Sequence, residues 1–211
     1  MASEDTHARA RLMAHLDGWL VCDAGVERTR LVVAEAGDAV VLPLHADLAD
    51  AGGWSYAAPQ EMDPAIELAL VPEESTDAGE PIDAREIEAD RWLAYHGETP
   101  PRCRLVALAI DFARFRSNGT THVAEGAGVL TANPLGAALP ALCAQLNFDP
   151  DRLRAACDRL AGVAPERPVA VGVDELGVHV RAAFDVLRLA FEEPVADEAR
   201  ARVAIEAMLD G

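Results

Sequence analysis

The sequence contains no lysine. All 18 of its basic residues are arginine, and they stand against 36 aspartates and glutamates. The absence of lysine excludes a Schiff-base lysine, a P-loop lysine and a Ser-Lys dyad. The formal net charge of -18 repels the phosphate backbone of nucleic acids and anionic membrane surfaces. We therefore expect neither nucleic acid nor a membrane as a partner.

Three further absences narrow the class of protein. The four cysteines form no C-x-x-C pair and have no histidine at zinc spacing, which argues against a metal or redox site: Cys22, Cys103, Cys143 and Cys157. The N-terminal segment, Met1 to Arg11, lacks the apolar core of a signal peptide. No window of about 18 apolar residues is present for a membrane span. These absences predict a globular cytoplasmic protein.

The first half of the chain reads as short strands with helices between some of them. A helix is predicted over Thr6–Leu16 and another from Asp83 to Tyr95, whereas residues 46–65 are interpreted mostly as loop. The predicted strands are Trp19–Cys22, Arg28–Ala34, Ala39–His45, Ile66–Val71, Cys103–Phe115 and Thr120–Val123. Gly37-Asp38 and Asn118-Gly119 are typical of hairpin turns. This pattern favours a small, mainly antiparallel barrel.

The second half begins after Asn133-Pro134 and changes to helix. One helix carries a leucine stripe from Leu135, and the next has Asp149 as its N-cap with Pro150 at its first position. Alternating valines then predict strands over Val169–Val173 and Val178–Val180, and a third strand follows over Phe184–Phe191. A last helix is predicted from Pro194, with Ala199, Val203 and Ala207 at helical spacing. We interpret residues 1–132 and 133–211 as two domains.

Three short motifs occur in a recognisable order in residues 85–211. They are Arg91-Trp92-Leu93-Ala94-Tyr95-His96, Leu130-Thr131-Ala132-Asn133-Pro134, and Gly172-Val173-Asp174 with Gly177, His179 and Arg181. In order and spacing they resemble the haem-utilisation proteins of the HugZ type. In that family a flavin-binding split barrel, related to pyridoxamine 5'-phosphate oxidase, precedes a small domain of unknown function. The resemblance implies an α+β fold: a split β-barrel with flanking helices, a C-terminal α-α-β-β-β-α domain, and a homodimer.

The sequence also departs from the family pattern. The family usually has a His-Met-Asn-x-Asp-His signature between the two helices of the second domain, and here Gln145 to Pro150 occupy that place. Both histidines are missing, and neither glutamine nor proline replaces an imidazole as a ligand of haem iron. Asn147 and Asp149 are kept, and capping of the two helices explains them without a ligand.

The resemblance identifies Arg28, Arg30 and His45 as the residues available to bind a cofactor. Few basic side chains stand in this region, and burying the phosphate of FMN without paired cations is costly. We therefore expect flavin binding to be weakened or lost. Two hypotheses stay open: a degenerate binding or regulatory protein linked to haem metabolism, with a small-molecule or protein partner, and an FMN- or haem-dependent oxidoreductase.

Two other histidines lie within predicted strands. His122 and His179 alternate with apolar neighbours, so we expect each of them to face solvent or a subunit contact.

Overall fold

The computed structural model describes residues 3–45, 51–60, 64–72, 84–183 and 185–211. The chain divides into two compact units, Met1–Leu93 with Glu98–Ala132, and Ala94–Gly97 with Asn133–Gly211. Each unit contains its own antiparallel sheet. The predicted fold class is confirmed: an α+β protein with an antiparallel half-barrel, flanking helices and a second, three-stranded sheet.

The first unit contains an eight-stranded sheet. Its strands are β1 (Asp17–Cys22), β2 (Gly25–Arg30), β3 (Val32–Val33), β4 (Val40–Leu44), β5 (Ser55–Ala58), β6 (Ile66–Pro72), β7 (Arg104–Ser117) and β8 (Thr120–Glu125). The hydrogen-bonded order is β2-β1-β5-β6-β7-β4-β3, and β8 pairs with β7 beyond the end of β4. The long strand β7 therefore pairs with β6 on one side and with β4 and then β8 on the other.

A single residue joins the two edges of this sheet. The strand predicted over Arg28–Ala34 is interrupted at Leu31, so that β2 pairs with β1 while β3 pairs with β4. Leu31 is fully buried, and its N–H donates to the carbonyl of Leu16 at 2.9 Å. Because β2 and β3 are consecutive in the chain but lie at opposite ends of the order, the sheet curves back toward its own beginning, as in a barrel.

Patterns within a few residues of sequence correctly predicted most of these strands. Asn118 and Gly119 both have positive φ, 50° and 78°, as the predicted two-residue turn between β7 and β8 requires. The prediction of loop over 46–65 is wrong at Ser55–Ala58, which pairs with β1 and β6. That strand has only four residues and lies between Gly52-Gly53 and Pro59, so its signal was masked by turn residues.

Three helices flank the half-barrel: α1 (Glu4–Ala14), α2 (Arg85–His96) and α3 (Gly126–Val129). Ser3 caps α1 by accepting a hydrogen bond from the N–H of Thr6 at 3.2 Å. The predicted start of α2 at Asp83 lies outside the described residues. Gly126, at the start of α3, packs so closely on the carbonyl of Ile110 that no side chain fits there. In the described part of the chain, no helix is long and apolar enough to cross a bilayer.

In the second unit, helices pack against a three-stranded sheet. Its helices are α4 (Leu139–Asn147), α5 (Pro150–Ala161) and α6 (Glu198–Asp210), and a short 3-10 turn, Gly136–Ala138, precedes α4. Its strands are β9 (Val169–Asp174), β10 (Gly177–Arg181) and β11 (Val186–Ala190), in the order β11-β10-β9. Phe184, where the third strand was predicted to begin, lies outside the described residues.

Side chains on one face of this sheet are part of the hydrophobic core of the second unit. Leu142, Leu153, Val178, Val180 and Leu189 are all fully buried in it. The prediction for α5 is confirmed, because Asp149 accepts a hydrogen bond from the N–H of Arg152 at 3.1 Å and Pro150 is the first helical residue.

The predicted start of α6 is wrong. The helix begins at Glu198 rather than at Pro194, because Asp197 caps it by accepting from the N–H of Arg200 at 2.9 Å. Its core-facing residues are Ala201, Ile205, Met208 and Leu209. Ala199, Val203 and Ala207 do recur at helical spacing, but on a second face of the helix, where Val203 is 71% exposed.

Candidate functional site

Both arginines predicted to hold a cofactor lie on β2. Nε and Nη2 of Arg28 donate to the two carboxylate oxygens of Asp17 at 3.0 and 3.1 Å. Nη1 of Arg30 donates to Oε1 of Glu98 at 2.7 Å, and its Nε lies 3.6 Å from Oδ2 of Asp17. Asp17 stands directly opposite Arg30 in the pairing of β1 with β2. Carboxylates of the same unit therefore already bind both guanidinium groups.

His45 is the third predicted cofactor residue. It follows the last residue of β4 and is exposed. It forms no hydrogen bond or ion pair with any residue that the structure describes. The structure thus joins Arg28 and Arg30 through Asp17, whereas His45 is exposed and is not bonded to that ion-pair cluster.

A buried polar cluster occurs in the second unit, on the face of the sheet opposite the helical core. Nη1 and Nη2 of Arg188 donate to the two carboxylate oxygens of Asp174 at 2.9 and 2.5 Å. The same Nη1 lies 3.2 Å from Nε2 of His179, its direct cross-strand neighbour. The side chains of Arg188 and Asp174 are 8% and 7% exposed, and His179 is 2% exposed. The expectation that His179 faces solvent or a subunit contact is therefore wrong.

The segment Ala94–Gly97 covers this cluster. The hydroxyl of Tyr95 lies 3.3 Å from Nδ1 of His179, and the two rings are tilted with centroids 5.4 Å apart. Nη1 of Arg181 donates to the carbonyl of Ala94 at 2.5 Å. Gly172 is required beneath Tyr95, because a Cβ atom there would overlap the hydroxyl. We name Tyr95, Asp174, His179 and Arg188 the hairpin cluster.

The hairpin cluster has a defined electrostatic character. Burial by itself raises the pKa of Asp174, but the charge and hydrogen bonds of Arg188 lower it, and so do His179 and the N–H of Leu176. The lowering influences prevail, so that the pKa of this carboxyl lies below its ordinary value. Asp174 is therefore an anion at neutral pH, matched to the guanidinium cation of Arg188, which suits a structural ion pair better than a general acid or base.

All three sequence motifs contribute to folding. Trp92 is a core residue, 2% exposed, and Arg91 pairs with the buried Glu88 at 3.3 Å. In the second motif, Nδ2 of Asn133 donates to the carbonyl of Val173 at 2.7 Å, and its Oδ1 accepts from the N–H of Leu135 at 3.0 Å. The third motif supplies Asp174 and His179 of the hairpin cluster, and the first motif supplies Tyr95. Each motif has a packing or hydrogen-bonding role that needs no ligand.

Asn147 also has a structural role, though not the predicted one. Its amide pairs with both backbone groups of Ala170, on the outer side of the edge strand β9. Between Asn147 and the N-cap Asp149, the side chain of Phe148 is 90% exposed. The expectation that Asn147 only caps α4 missed this pairing, because its partner is 23 residues away in the chain.

A groove of about 910 Å³ runs along α6 in the second unit. It is lined by apolar side chains from the end of α5, the segment after β11 and α6 itself: Leu160, Phe191, Pro194, Val203, Ala207 and Met208. Four charged side chains also line it: Arg159, Glu192, Glu193 and Arg200. We name it the α6 groove. Its volume falls in the range of about 300–1,000 Å³ that is usual for ligand sites.

Neither Cys143 nor Cys157 supplies a reactive site, and the described residues contain no metal site either. Burial raises the pKa of the Cys143 and Cys157 thiols to about 11, so both remain protonated and unreactive at neutral pH. Within the described ranges, no group of three or more His, Cys, Asp or Glu side chains could hold a metal ion.

The architecture defines an antiparallel half-barrel unit followed by a small α+β unit. No protein-family model matches the sequence, and no curated protein matches it. A solved structure of a protein of unknown function from Agrobacterium tumefaciens is similar, with a TM-score of 0.65 and 17% identity over 100% of this chain and 98% of that one. A heme binding protein from Mycobacterium smegmatis is also similar, with a TM-score of 0.46 and 20% identity over 99% and 97%. At 17% identity, the similarity to the Agrobacterium tumefaciens structure concerns the fold alone.

Proposed function

We propose that this protein is a non-catalytic binding or regulatory protein built on a split barrel, and that it does not hold flavin. The observation that carries the proposal is the pairing of Arg28 and Arg30 with Asp17 and Glu98. These arginines are the cations that the family resemblance assigns to a cofactor. In this chain their hydrogen-bonding atoms are directed at carboxylates of the same unit.

The physical argument concerns the charge of the cofactor. The phosphate of FMN carries about two negative charges, and its binding depends on charge-assisted hydrogen bonds from free cations or backbone N–H groups. Here a phosphate that approaches Arg28 either displaces Asp17 or lies beside it as a like charge. The net charge of -18 adds a general repulsion of anions.

The test is a pair of spectroscopic titrations of the purified protein with FMN and with haemin. We expect a colourless protein, and FMN that stays fully removable by gel filtration. A yellow protein with one FMN per chain would contradict the proposal and would favour the oxidoreductase hypothesis. The double variant Asp17→Asn/Glu98→Gln is the matched comparison, because it frees both arginines; we expect it to bind FMN or inorganic phosphate more tightly than the wild type.

The link with haem is the finer part of the proposal and rests on the sequence resemblance of residues 85–211. His45 is the imidazole that the chain offers in an exposed position without a described partner. We expect haemin to give a saturable shift of its Soret band that is lost in His45→Ala. His7→Ala is the control, since His7 is likewise exposed but its Nδ1 is bonded to the Ser3 carbonyl. An unshifted band would remove haem from the proposal and leave a protein partner.

The homodimer implied by the resemblance stays a prediction. Strands of the half-barrel carry exposed apolar side chains that a second copy could cover: Val26, Val71, Phe112 and Val123. Sedimentation velocity of the wild type and of Phe112→Glu tests this, and a monomer in both cases would contradict it.

A further inference from the structure

Helix α6 has two apolar faces, of which one is used by the core. Ala201, Ile205 and Leu209 are buried against the three-stranded sheet and its helices. Ala199, Val203 and Ala207 recur at every fourth residue on a second face, and they line the α6 groove. Val203, at the centre of this stripe, is 71% exposed. A solvent-facing surface helix ordinarily has polar residues there.

The apolar stripe of α6 is long enough for a second helix to pack along it. Ala199 and Ala207 are eight residues apart, which corresponds to about 12 Å along the helix axis, or roughly two turns. Small side chains in the stripe let a second helix approach closely, while Leu160 and Phe191 provide apolar surface for its larger side chains. Amphipathic helices that lie in such grooves use anchors at i, i+3 or i+4, and i+7.

The charged side chains around the α6 groove indicate the sign of the charge that a bound partner carries. Arg159 donates to the carbonyl of Met208, and the charge of Arg200 is offset by Asp197, whose Oδ2 lies 3.9 Å from its Nε. Glu192 and Glu193 are exposed, and neither pairs with any residue in the described part of the chain. Two acidic side chains are thus left for an incoming group, in a protein whose overall charge is -18.

We infer that the α6 groove is the docking site for a basic amphipathic helix of a protein partner. The inference deepens the proposed function and rests on it, since it names the class of partner that the binding protein takes. Apolar side chains of the partner helix cover Val203 and Leu160, and its lysines or arginines pair with Glu192 and Glu193. A second copy of this chain is disfavoured as occupant of this groove, because a contact between the same groove on two copies brings together the Glu192 and Glu193 carboxylates of both.

The test measures binding of two labelled synthetic peptides by fluorescence anisotropy. Both are amphipathic helices with leucines along one face; one carries lysines on its flanks, and the other carries glutamates at the same positions. We expect the basic peptide to bind and the acidic peptide not to bind. Val203→Glu should weaken binding by about tenfold or more, since it places a charge at the centre of a desolvated contact. Phe148→Glu, at a 90% exposed site outside the groove lining, should leave the affinity unchanged.

A second variant tests the electrostatic part separately. Glu192→Gln/Glu193→Gln should weaken binding of the basic peptide and reduce the dependence of its affinity on salt. The inference is overturned if neither peptide binds, if both bind equally, or if Val203→Glu binds as the wild type does. It is also overturned if the wild type forms a dimer that Val203→Glu dissociates. The FMN and haemin titrations are independent of all these outcomes, so this inference can fail while the proposed function stands.

Discussion

The side-chain amide of Asn147 forms a two-hydrogen-bond pair with the backbone of Ala170. Nδ2 of Asn147 donates to the carbonyl of Ala170 at 3.0 Å, and the N–H of Ala170 donates to Oδ1 of Asn147 at 2.8 Å. Ala170 is 3% exposed and lies on β9, an edge strand. Asn147 therefore satisfies the backbone groups that a further strand would otherwise have bonded.

The first prediction concerns this pair. Asn147→Ala leaves two buried backbone groups of Ala170 without partners, and each such group costs about 1–3 kcal/mol. We expect a lower free energy of unfolding of the second unit and faster hydrogen exchange at the Ala170 amide, measured by mass spectrometry. The control is Gln145→Ala, whose side-chain bonds with Glu206 and Arg202 can be replaced by water. Equal exchange rates at Ala170 in both variants would contradict the prediction.

The second prediction concerns the space beneath Tyr95. Gly172→Ala drives a methyl group into the Tyr95 hydroxyl, and overpacking of this kind typically costs about 1–3 kcal/mol. Adding Tyr95→Phe removes that hydroxyl. The new Cβ would then meet ring Cζ at 3.0 Å and Nδ1 of His179 at 3.2 Å, so the rescue should be partial.

The measurement is urea denaturation of the two single variants and the double variant, analysed as a double-mutant cycle. Gly136→Ala is the control, because a Cβ atom at that glycine has no neighbour within 4 Å. Additive losses in the cycle would mean that the Tyr95 hydroxyl is not the obstacle.

The third prediction concerns the pH dependence of the second unit. The pKa of Asp174 is lowered in the folded state from its ordinary value of 3.8. The carboxylate therefore contributes stability that is fully present above that value and is lost as the pH falls through the folded-state pKa. The difference in free energy of unfolding between the wild type and Asp174→Asn should shrink as the pH falls below 3.8.

Replacing Arg188, the cation that pairs with Asp174, should reverse this dependence of stability on pH. In Arg188→Met, burial of Asp174 raises its pKa without the main compensating charge, so ionisation of Asp174 opposes folding. We expect a loss of about 3–5 kcal/mol at neutral pH, which is the usual result of leaving a buried charge unpaired. Chemical denaturation at several pH values measures both effects. An Arg188→Met variant whose deficit relative to the wild type does not shrink on acidification would contradict this account.

The fourth prediction concerns the boundary of the second domain, which was interpreted as residue 133. Ala94 and Tyr95 supply the carbonyl bonded by Arg181 and the hydroxyl at His179. In the full chain, Tyr95→Ala should therefore lower the stability of the second unit and speed hydrogen exchange at the His179 amide, measured by mass spectrometry. Leu93→Ala, at a 43% exposed residue of the first unit, is the control. Unchanged exchange at His179 in Tyr95→Ala would favour the boundary at residue 133.

Predictions from the sequence succeeded where the signal was local. Asp149-Pro150 specifies a helix start, and Asn118-Gly119 specifies a turn, because each acts through backbone groups within a few residues. The ion pair of Asp17 with Arg28 and Arg30 was within reach of the sequence once the register of the first hairpin is drawn, since Asp17 faces Arg30. Without the pairing of β1 with β2, Arg28 and Arg30 count as cations available to a cofactor.

Predictions failed where a distant segment decides which face is buried. His179 alternates with valines as a surface residue does, yet Tyr95, 84 positions earlier, covers it. On α6, two faces are apolar in sequence, and helical periodicity alone could not choose between them. The core selected Ile205 and Leu209, which left Val203 exposed in the groove.

The sequence by itself determined the antiparallel character of the strands, the start of α5, the acidic net charge and the absence of lysine chemistry. These follow from composition and from interactions between near neighbours in the chain. Only the tertiary structure decided that Leu31 joins the two edges of the first sheet and that Asp17 and Glu98 bind the predicted cofactor arginines. It also decided that the side chains of Asp174, His179 and Arg188 are buried and that Tyr95 contacts His179. The physical reason is that burial and ion pairing depend on contacts between segments far apart in the chain, which the spacing of residues does not encode.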